Sequence, residues 1–437
     1  MIGGLMKTTS YLAIAAAASL IVGSVTLAPT AARAADLGGD CCADLESRVA
    51  ELEATTVRKG NRKVSVTLSG AVTSAILFWD DGVNHDANVI TPDTIGGGFT
   101  FAGSGKVSSD MTVGYNLGFD ARYGDPGDGT GLQTEDELGG DSNVNGYSAV
   151  GKIAPVEVYV YIDSKSAGRV TLGHRSSAYK SANGRSDLGG DSGANAYNGG
   201  IIDLAAGIRI VDNNVPGDPG YHGSWYDALD NLGGTRGMTV RYDSPTVGGF
   251  QVSTSLGHND RQTIDDGFVK KGFDDIVSVG LGYDMSHSGT DFSFSAAYEG
   301  RTETVVGTEN RWLVGASLYN KSSGLFITGE YDAVQNNAAT LGGSANNWFA
   351  KGGWRKNVNG MGETNVYGGF QQSKDVAFLD TTGKGFFVGV TQSIDSAASV
   401  LYGQYSHLSV DGLGATAICG GSCQNEQSWI MGLKVSF

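Results

Sequence analysis

Proline is scarce in this chain, at 7 of 437 residues. That excludes a collagen-like or proline-rich polymer, even though the 68 glycines exceed the usual ~7 % share. Charge is also thin: 17 % against the ~25 % of soluble domains. Cations are outnumbered, with 30 Lys and Arg against 46 Asp and Glu and a formal net charge of −16. Phosphate binding needs basic patches, so nucleic acid is not an expected partner. After the first residues, no segment approaches the ~20 apolar residues of a spanning helix, and the mean hydropathy is only −0.13. A helical membrane protein is thereby excluded. A strand that crosses a membrane escapes that limit, because only every second residue meets lipid. The six histidines, 85, 174, 222, 258, 287 and 407, are scattered and form no His-Glu-x-x-His site. No glycine-rich phosphate loop is present either, so neither a cofactor nor a metal is expected.

Cysteines are few, four in all. Cys41 and Cys42 are adjacent and cannot pair with each other without strain. Cys419 and Cys423 sit in a Cys-Gly-Gly-Ser-Cys loop, which predicts a local disulfide of the kind exported proteins carry. A metal site there would want more ligands than are near. Residues 1–34 read as an export signal. Lys7 supplies the positive start, an Ala-rich apolar stretch runs from Tyr11 to about Leu27, and Ala32-Arg33-Ala34 offers the cleavage site. Residues 35–62 then form a lead-in with one helical stretch, Ala43 to Lys59. Leu45, Val49 and Leu52 follow a coiled-coil spacing, with Thr56 next in register. Two heptads are too few to stand alone. The stretch is either a simple periplasmic lead-in or a small bundle joining protomers.

From residue 63 to 437 the rhythm changes to two. Met111, Val113, Tyr115, Leu117 and Phe119 alternate with Thr112, Gly114, Asn116, Gly118 and Asp120. In a strand, such a pattern puts lipid on one face and water on the other. Sixteen such segments are expected, near 64–79, 97–107, 110–123, 152–164, 168–175, 236–243, 249–257 and 274–285, and near 291–299, 310–319, 323–331, 346–355, 363–371, 384–392, 398–406 and 427–437. The links between them alternate too. Short polar turns such as Ser108-Ser109 and Asn320–Ser322 take turns with long Gly/Asp/Asn-rich stretches such as 80–96, 124–151 and 258–273. Short turns on one side and long loops on the other mark a closed antiparallel transmembrane β-barrel of about 16 strands, with short periplasmic turns and long extracellular loops. Aromatic residues near strand ends, Phe78, Trp79, Trp312, Trp348 and Trp354 among them, suit the membrane–water interface.

The last strand is the most specific signal. Trp429, Met431, Leu433, Val435 and Phe437 alternate to a final aromatic residue. This resembles the recognition signal of outer-membrane barrel proteins, and it implies the barrel-assembly machinery as a partner.

A sixteen-stranded barrel encloses water rather than a packed core, so something must limit what passes. The longest connection, about 176–235, is the third long loop and follows the fifth strand. It carries Asp187, Asp191, Asp203 and Asp212. Inward positions on the strands supply Arg122, Arg175, Arg241, Arg311, Lys351 and Arg355. Acids on the loop facing bases on the wall would set a transverse field across a constriction, favouring polar solutes over apolar ones.

The Cys41-Cys42-Ala43-Asp44-Leu45-Glu46 start, the Arg58-Lys59-Gly60-Asn61 run before strand Val64–Gly70, and Val240-Arg241-Tyr242-Asp243-Ser244-Pro245 with Gly248-Gly249-Phe250 resemble alphaproteobacterial porins of the rhizobial and brucella type. The resemblance covers nearly the whole mature chain. In general diffusion porins the loop corresponding to 176–235 folds into the barrel and narrows it. The resemblance further implies a homotrimer of passive channels for small hydrophilic solutes, set in outer-membrane lipid and lipopolysaccharide. A channel selective for one solute class is the alternative. Enzyme chemistry is not expected: Gly190-Asp191-Ser192-Gly193 resembles a serine-protease nucleophile motif, but Ala194-Asn195 departs from it and no suitable His motif precedes it. Turn chemistry explains it better. A calcium-binding β-helix would need a fixed short repeat, and none is found.

Overall fold

The computed structural model describes residues 64–92, 97–122, 152–190, 208–212, 220–230, 232–258, 262–265, 268–271, 275–303, 307–337, 339–415, 418 and 423–437. The expected export signal and helical lead-in lie outside these residues.

Strand alternation dominates the chain from Thr67 onward. The strands are β1 (Thr67–Asp80), β2 (His85–Ile90), β3 (Gly98–Lys106), β4 (Met111–Arg122), β5 (Lys152–Ser164), β6 (Gly168–Ser176), β7 (Arg209–Asp212), β8 (Gly220–Ser224), β9 (Arg236–Asp243), β10 (Phe250–His258), β11 (Gln262–Asp265), β12 (Phe268–Lys271), β13 (Asp275–His287), β14 (Thr290–Glu303), β15 (Gly307–Asn320), β16 (Leu325–Asn337), β17 (Gly343–Asn357), β18 (Glu363–Lys374), β19 (Thr382–Ile394), β20 (Ser399–Asp411) and β21 (Glu426–Ser436). Seventeen of them form one antiparallel sheet, while β7–β8 and β11–β12 are separate hairpins. Within the large sheet, β2 pairs with the upper half of β1 and β3 with its lower half. Together these two fill one position, which gives sixteen staves. The last stave, β21, pairs with β1 from Ala71↔Ser436 to Asp80↔Gln427, so the sheet closes on itself. Closure removes every free edge and lets each backbone amide of the wall find a partner without water, the condition for crossing a bilayer.

The two faces of the wall have opposite chemistry. On β13, Val277 and Val279 point outward and are half exposed, while Ser278 between them is fully buried. The same inversion holds at Val72 and Ile76 of β1 against Thr73. So much exposed aliphatic surface would be a liability in water; here lipid is the solvent. Outward rings form a row near the long-loop end. Tyr298 meets Trp312 at 5.7 Å, Trp348 meets Phe370 at 4.9 Å, Phe386 meets Tyr405 at 5.8 Å and Tyr405 meets Trp429 at 4.6 Å. A second group, Phe250, Tyr283 and Phe292, lies near the short-turn end. Amphipathic rings gather at the two interfaces of a membrane.

Candidate functional site: the loop inside the barrel

After β6 the chain turns into the lumen instead of outward. Ser177 caps a short helix, α1 (Ala178–Ala182), its Oγ accepting from Lys180 N at 3.1 Å. The wall beneath is built from small inward residues, which leaves room for a segment of backbone. Ala178 N donates to Ser255 Oγ of β10 at 2.8 Å and to Ser278 Oγ of β13 at 3.1 Å. A Cβ on Gly280 would meet Ala178 O at 2.9 Å, and one on Gly282 would collide with the Arg185 guanidinium.

From there the loop crosses one stave after another. Ser177 Oγ donates to Glu299 of β14 at 2.5 Å, and Leu188 N to Ser317 Oγ of β15 at 3.2 Å. Gly184 N donates to Glu330 of β16 at 2.9 Å. Lys351 of β17 holds Asp187 at 2.5 Å, and Asn365 Nδ2 of β18 donates to Gly189 O at 2.6 Å. Tyr179 is fully buried, its hydroxyl 3.3 Å from Trp312 O. Burial pushes its phenol well above the usual range.

The returning half docks as well. Trp225 and Leu229 join an apolar cluster with inward Leu77, Phe387, Leu408 and Ile430 of the wall. The Asp230 amide donates to Ser373 Oγ of β18 at 3.2 Å. Arg311 of β15 donates to Leu232 O at 2.8 Å and also to Gly233 O. Thr235 Oγ1 and N donate to Glu299 at 2.8 and 3.1 Å. The described contacts of the loop thus sweep the inner face from β9 round to β21 and β1.

The sequence-derived residues fall into distinct places. Arg241, Arg311 and Lys351 face inward but lie beneath the loop. Arg241 is paired with Asp243 at 2.6 Å and donates to Ser176 O and Ser177 O at 3.1 and 3.2 Å. Arg311 is paired with Glu309 at 2.7 Å. Arg355 is buried over the Tyr319 ring, 4.0 Å from its centre. Arg175 donates to Thr171 Oγ1 at 2.6 Å and lies over the Tyr159 ring at 4.9 Å, with Asp243 at 3.5 Å. Beside it Arg169 is bound to Asp163 at 2.8 Å and lies over the Tyr161 ring at 4.6 Å. Of the four loop acids, Asp187 is bound to Lys351, while Asp191, Asp203 and the side chain of Asp212 lie outside the described residues, as does the side chain of Arg122. Cys423 is disulfide-bonded; Cys419 is outside the described residues. Trp429, Leu433, Val435 and Phe437 are outward and exposed, and Met431 shares their face.

Sequence reasoning overlooked the carboxylates and the amide that receive the loop: Glu299, Glu330, Asp332 and Asn365. A signal for them exists. Inward positions of β10, β13 and β14 include Ser255, Ser278, Gly280, Gly282, Ser293 and Ser295, too small to fill a lumen and suited to a covering segment.

The Gram-negative porin family model matches residues 13–413. The chain belongs to this family. As a Gram-negative porin it resides in the outer membrane, and both family and fold point to a channel rather than an enzyme. No curated protein sequence matches it. Among solved structures, the anion-selective porin of Comamonas acidovorans is similar, with a TM-score of 0.56 at 16 % identity, over 86 % of this chain and 100 % of that one. The Salmonella typhi OmpF structure, solved with daunomycin, gives 0.52 at 12 % identity over 86 % and 98 %. The outer-membrane channel DcaP of Acinetobacter baumannii gives 0.54 at 12 % over 87 % and 99 %. At these identities the likeness concerns the fold.

Proposed function

We propose that this porin is a general diffusion channel, water-filled and passive, for small hydrophilic solutes and ions. The supporting observation is the inner loop. Its described contacts run from β9 round to β21 and β1, which leaves the polar inner faces of β3–β6, with Tyr159, Tyr161, Arg169 and Arg175, as the remaining wall of an aqueous path. In this reading the loop is the constriction, and Asp187, Asp191, Asp203 and Asp212 bias it toward cations against the wall cations Arg122, Arg175, Arg241, Arg311, Lys351 and Arg355. Residues 1–34 are the cleaved export signal and 35–62 the periplasmic lead-in. The subgroup is the rhizobial and brucella type, the assembly a homotrimer. Folding runs through the barrel-assembly machinery, and lipid and lipopolysaccharide surround the finished barrel.

Planar-bilayer recording tests this. Conductance should scale linearly with salt and voltage. Changing the four loop aspartates to Asn together should shift the reversal potential in a salt gradient toward anions. Removing Asp187 uncovers Lys351, which pushes in the same direction. An unchanged reversal potential would remove these acids from the path. Saturable block by one solute class would instead mark a selective channel.

A further inference from the structure

On the outer face of the wall, β17 reads Trp348, Ala350, Gly352, Trp354 and Lys356 along its lipid side. The two tryptophans are six residues apart, roughly 20 Å along a strand, close to the height of the apolar band of such barrels. Between them the strand has almost no side chain. Its neighbours deepen the gap: Gly352 lies opposite both Ile327 of β16 and Gly368 of β18, and Ala350 lies opposite Gly329. The result is a groove of about 760 Å³ with Gly352 and Gly368 in its floor and Leu318, Ile327, Val366 and Trp354 among its sides.

The groove is not uniform along its length. Its inner part is carbon and glycine backbone. Its short-turn end carries polar groups: Thr290 and Asn320 belong to the lining, and Trp354 Nε1 fixes the edge by donating to Ser323 O at 2.9 Å. Lys356, exposed on the same face one outward position further, donates to Ser322 O at 3.0 Å. A cation and a tryptophan at the interface, above an apolar slot that runs toward the midplane, match a molecule with an anionic head and a long apolar tail.

We propose that this groove holds one glycerophospholipid of the periplasmic leaflet, an acyl chain lying over Gly352 and Gly368 and the phosphate facing Lys356. The site is on the outside of the barrel and independent of what the pore conducts. Glycine at 352 is what makes the slot. Its backbone has no need of glycine, since a Cβ there meets only Phe326 O at 3.6 Å, an ordinary contact.

Native mass spectrometry of the detergent-solubilised protein titrated with phosphatidylethanolamine tests the proposal. The wild type should retain one phospholipid per barrel at an activation that strips looser lipid. Gly352→Leu fills the floor and should cut that adduct about tenfold, through lost chain burial. Lys356→Gln should weaken it roughly fivefold, the loss of one lysine–phosphate attraction at a membrane surface. Gly403→Leu is the control: it lies on the outer face of β20, three staves from β17, and its Cβ meets Met431 Cγ at 3.6 Å, an ordinary contact. Heat-modifiable gel mobility verifies folding of each variant. Equal lipid retention by the wild type, Gly352→Leu and Lys356→Gln would overturn the proposal. So would an equal loss in Gly403→Leu. If Gly352→Leu instead split an oligomer into single barrels with lipid retention unchanged, the groove would be a protomer contact and the lipid assignment wrong.

Discussion

Lys351 Nζ lies 2.5 Å from Asp187 Oδ2, and no part of the lysine side chain reaches water. This pair ties the inner loop to β17, far around the barrel from where the loop departs. Breaking one half of a buried ion pair costs about 3–5 kcal/mol, because the remaining charge is stranded. Lys351→Met therefore detaches the loop from this wall while leaving the ladder hydrogen bonds intact. The expected outcome is a barrel that still folds but conducts more, with noisier open levels, in planar bilayers. Lys351→Met with Asp187→Leu should recover part of the quiet state, since no charge is then stranded. Wild-type conductance in the single variant would mean that the pair does not set the loop position.

A second tether acts where the loop begins and ends. Glu299, fully buried on β14, accepts from Ser177 Oγ where the loop departs and from Thr235 where it returns. One carboxylate thus clasps both ends. Glu299→Gln keeps the shape but replaces one acceptor oxygen with a donor facing donors. Hydrogen bonds to a charged group contribute about 1.5–3 kcal/mol each, so loop docking should weaken by at least one such bond. Limited proteolysis reads this: cleavage between 176 and 236 should speed up in the variant while the barrel core survives. Equal cleavage rates would argue that the clasp is redundant.

The barrel was legible because its solvents impose a rhythm. Val277-Ser278-Val279-Gly280-Leu281-Gly282 can only be a wall with lipid on one side, and each of the sixteen expected segments has a stave at its place. The structure adds what that rhythm does not encode. β2, paired with the upper half of β1, carries His85, Asp86 and Asn88 toward its loop end, where alternation fades. Helix α1 is five residues long, too short for a helical period to register. The hairpins β7–β8 and β11–β12 are four or five residues a strand. The inner charges show the deepest limit. Parity places Arg241, Arg311 and Lys351 on the inner face, but what lies over them comes from a loop tens to more than a hundred residues away in sequence. Only its serine and glycine bed hints at where it runs.

Asp110, in the short turn between β3 and β4, links that turn to the next. Ser164 Oγ donates to it at 2.6 Å, and Ser166 adds bonds at 3.1 and 3.2 Å. The Ser164 hydroxyl is the main cause that holds the carboxyl below its ordinary 3.8. A depressed carboxylate stabilises the fold above its unfolded value and loses that contribution as pH falls through the lower folded value. The stabilisation is thus full at neutral pH and fades below 3.8. Asp110→Asn lacks the titration. Urea unfolding at pH 7 and pH 3 should give a smaller difference in midpoint for the variant than for the wild type. Identical differences would mean that the turn carries no pH dependence.

The seam that closes the barrel ends on an aromatic residue lying over a glycine. Phe437 and Gly70 exchange both backbone hydrogen bonds at 2.9 Å, and a Cβ on Gly70 would sit 2.7 Å from the Phe437 ring and 2.5 Å from Gly98 O. The backbone contact with Gly98 O cannot give way by rotating a side chain. Gly70→Val should therefore open the last rung between β21 and β1, at the point where β1 also meets β3. Overpacking of this kind costs typically ~1–3 kcal/mol. Phe437→Ala removes the ring but keeps the rung, so it relieves only the side-chain half of the clash. Folded yield, measured as the fraction that runs compact before heating and expanded after, should fall most for Gly70→Val. It should recover only partly in the double variant. Full recovery in the double variant would show that the ring alone limits position 70, and wild-type yield in the single variant would show that the seam tolerates a missing rung.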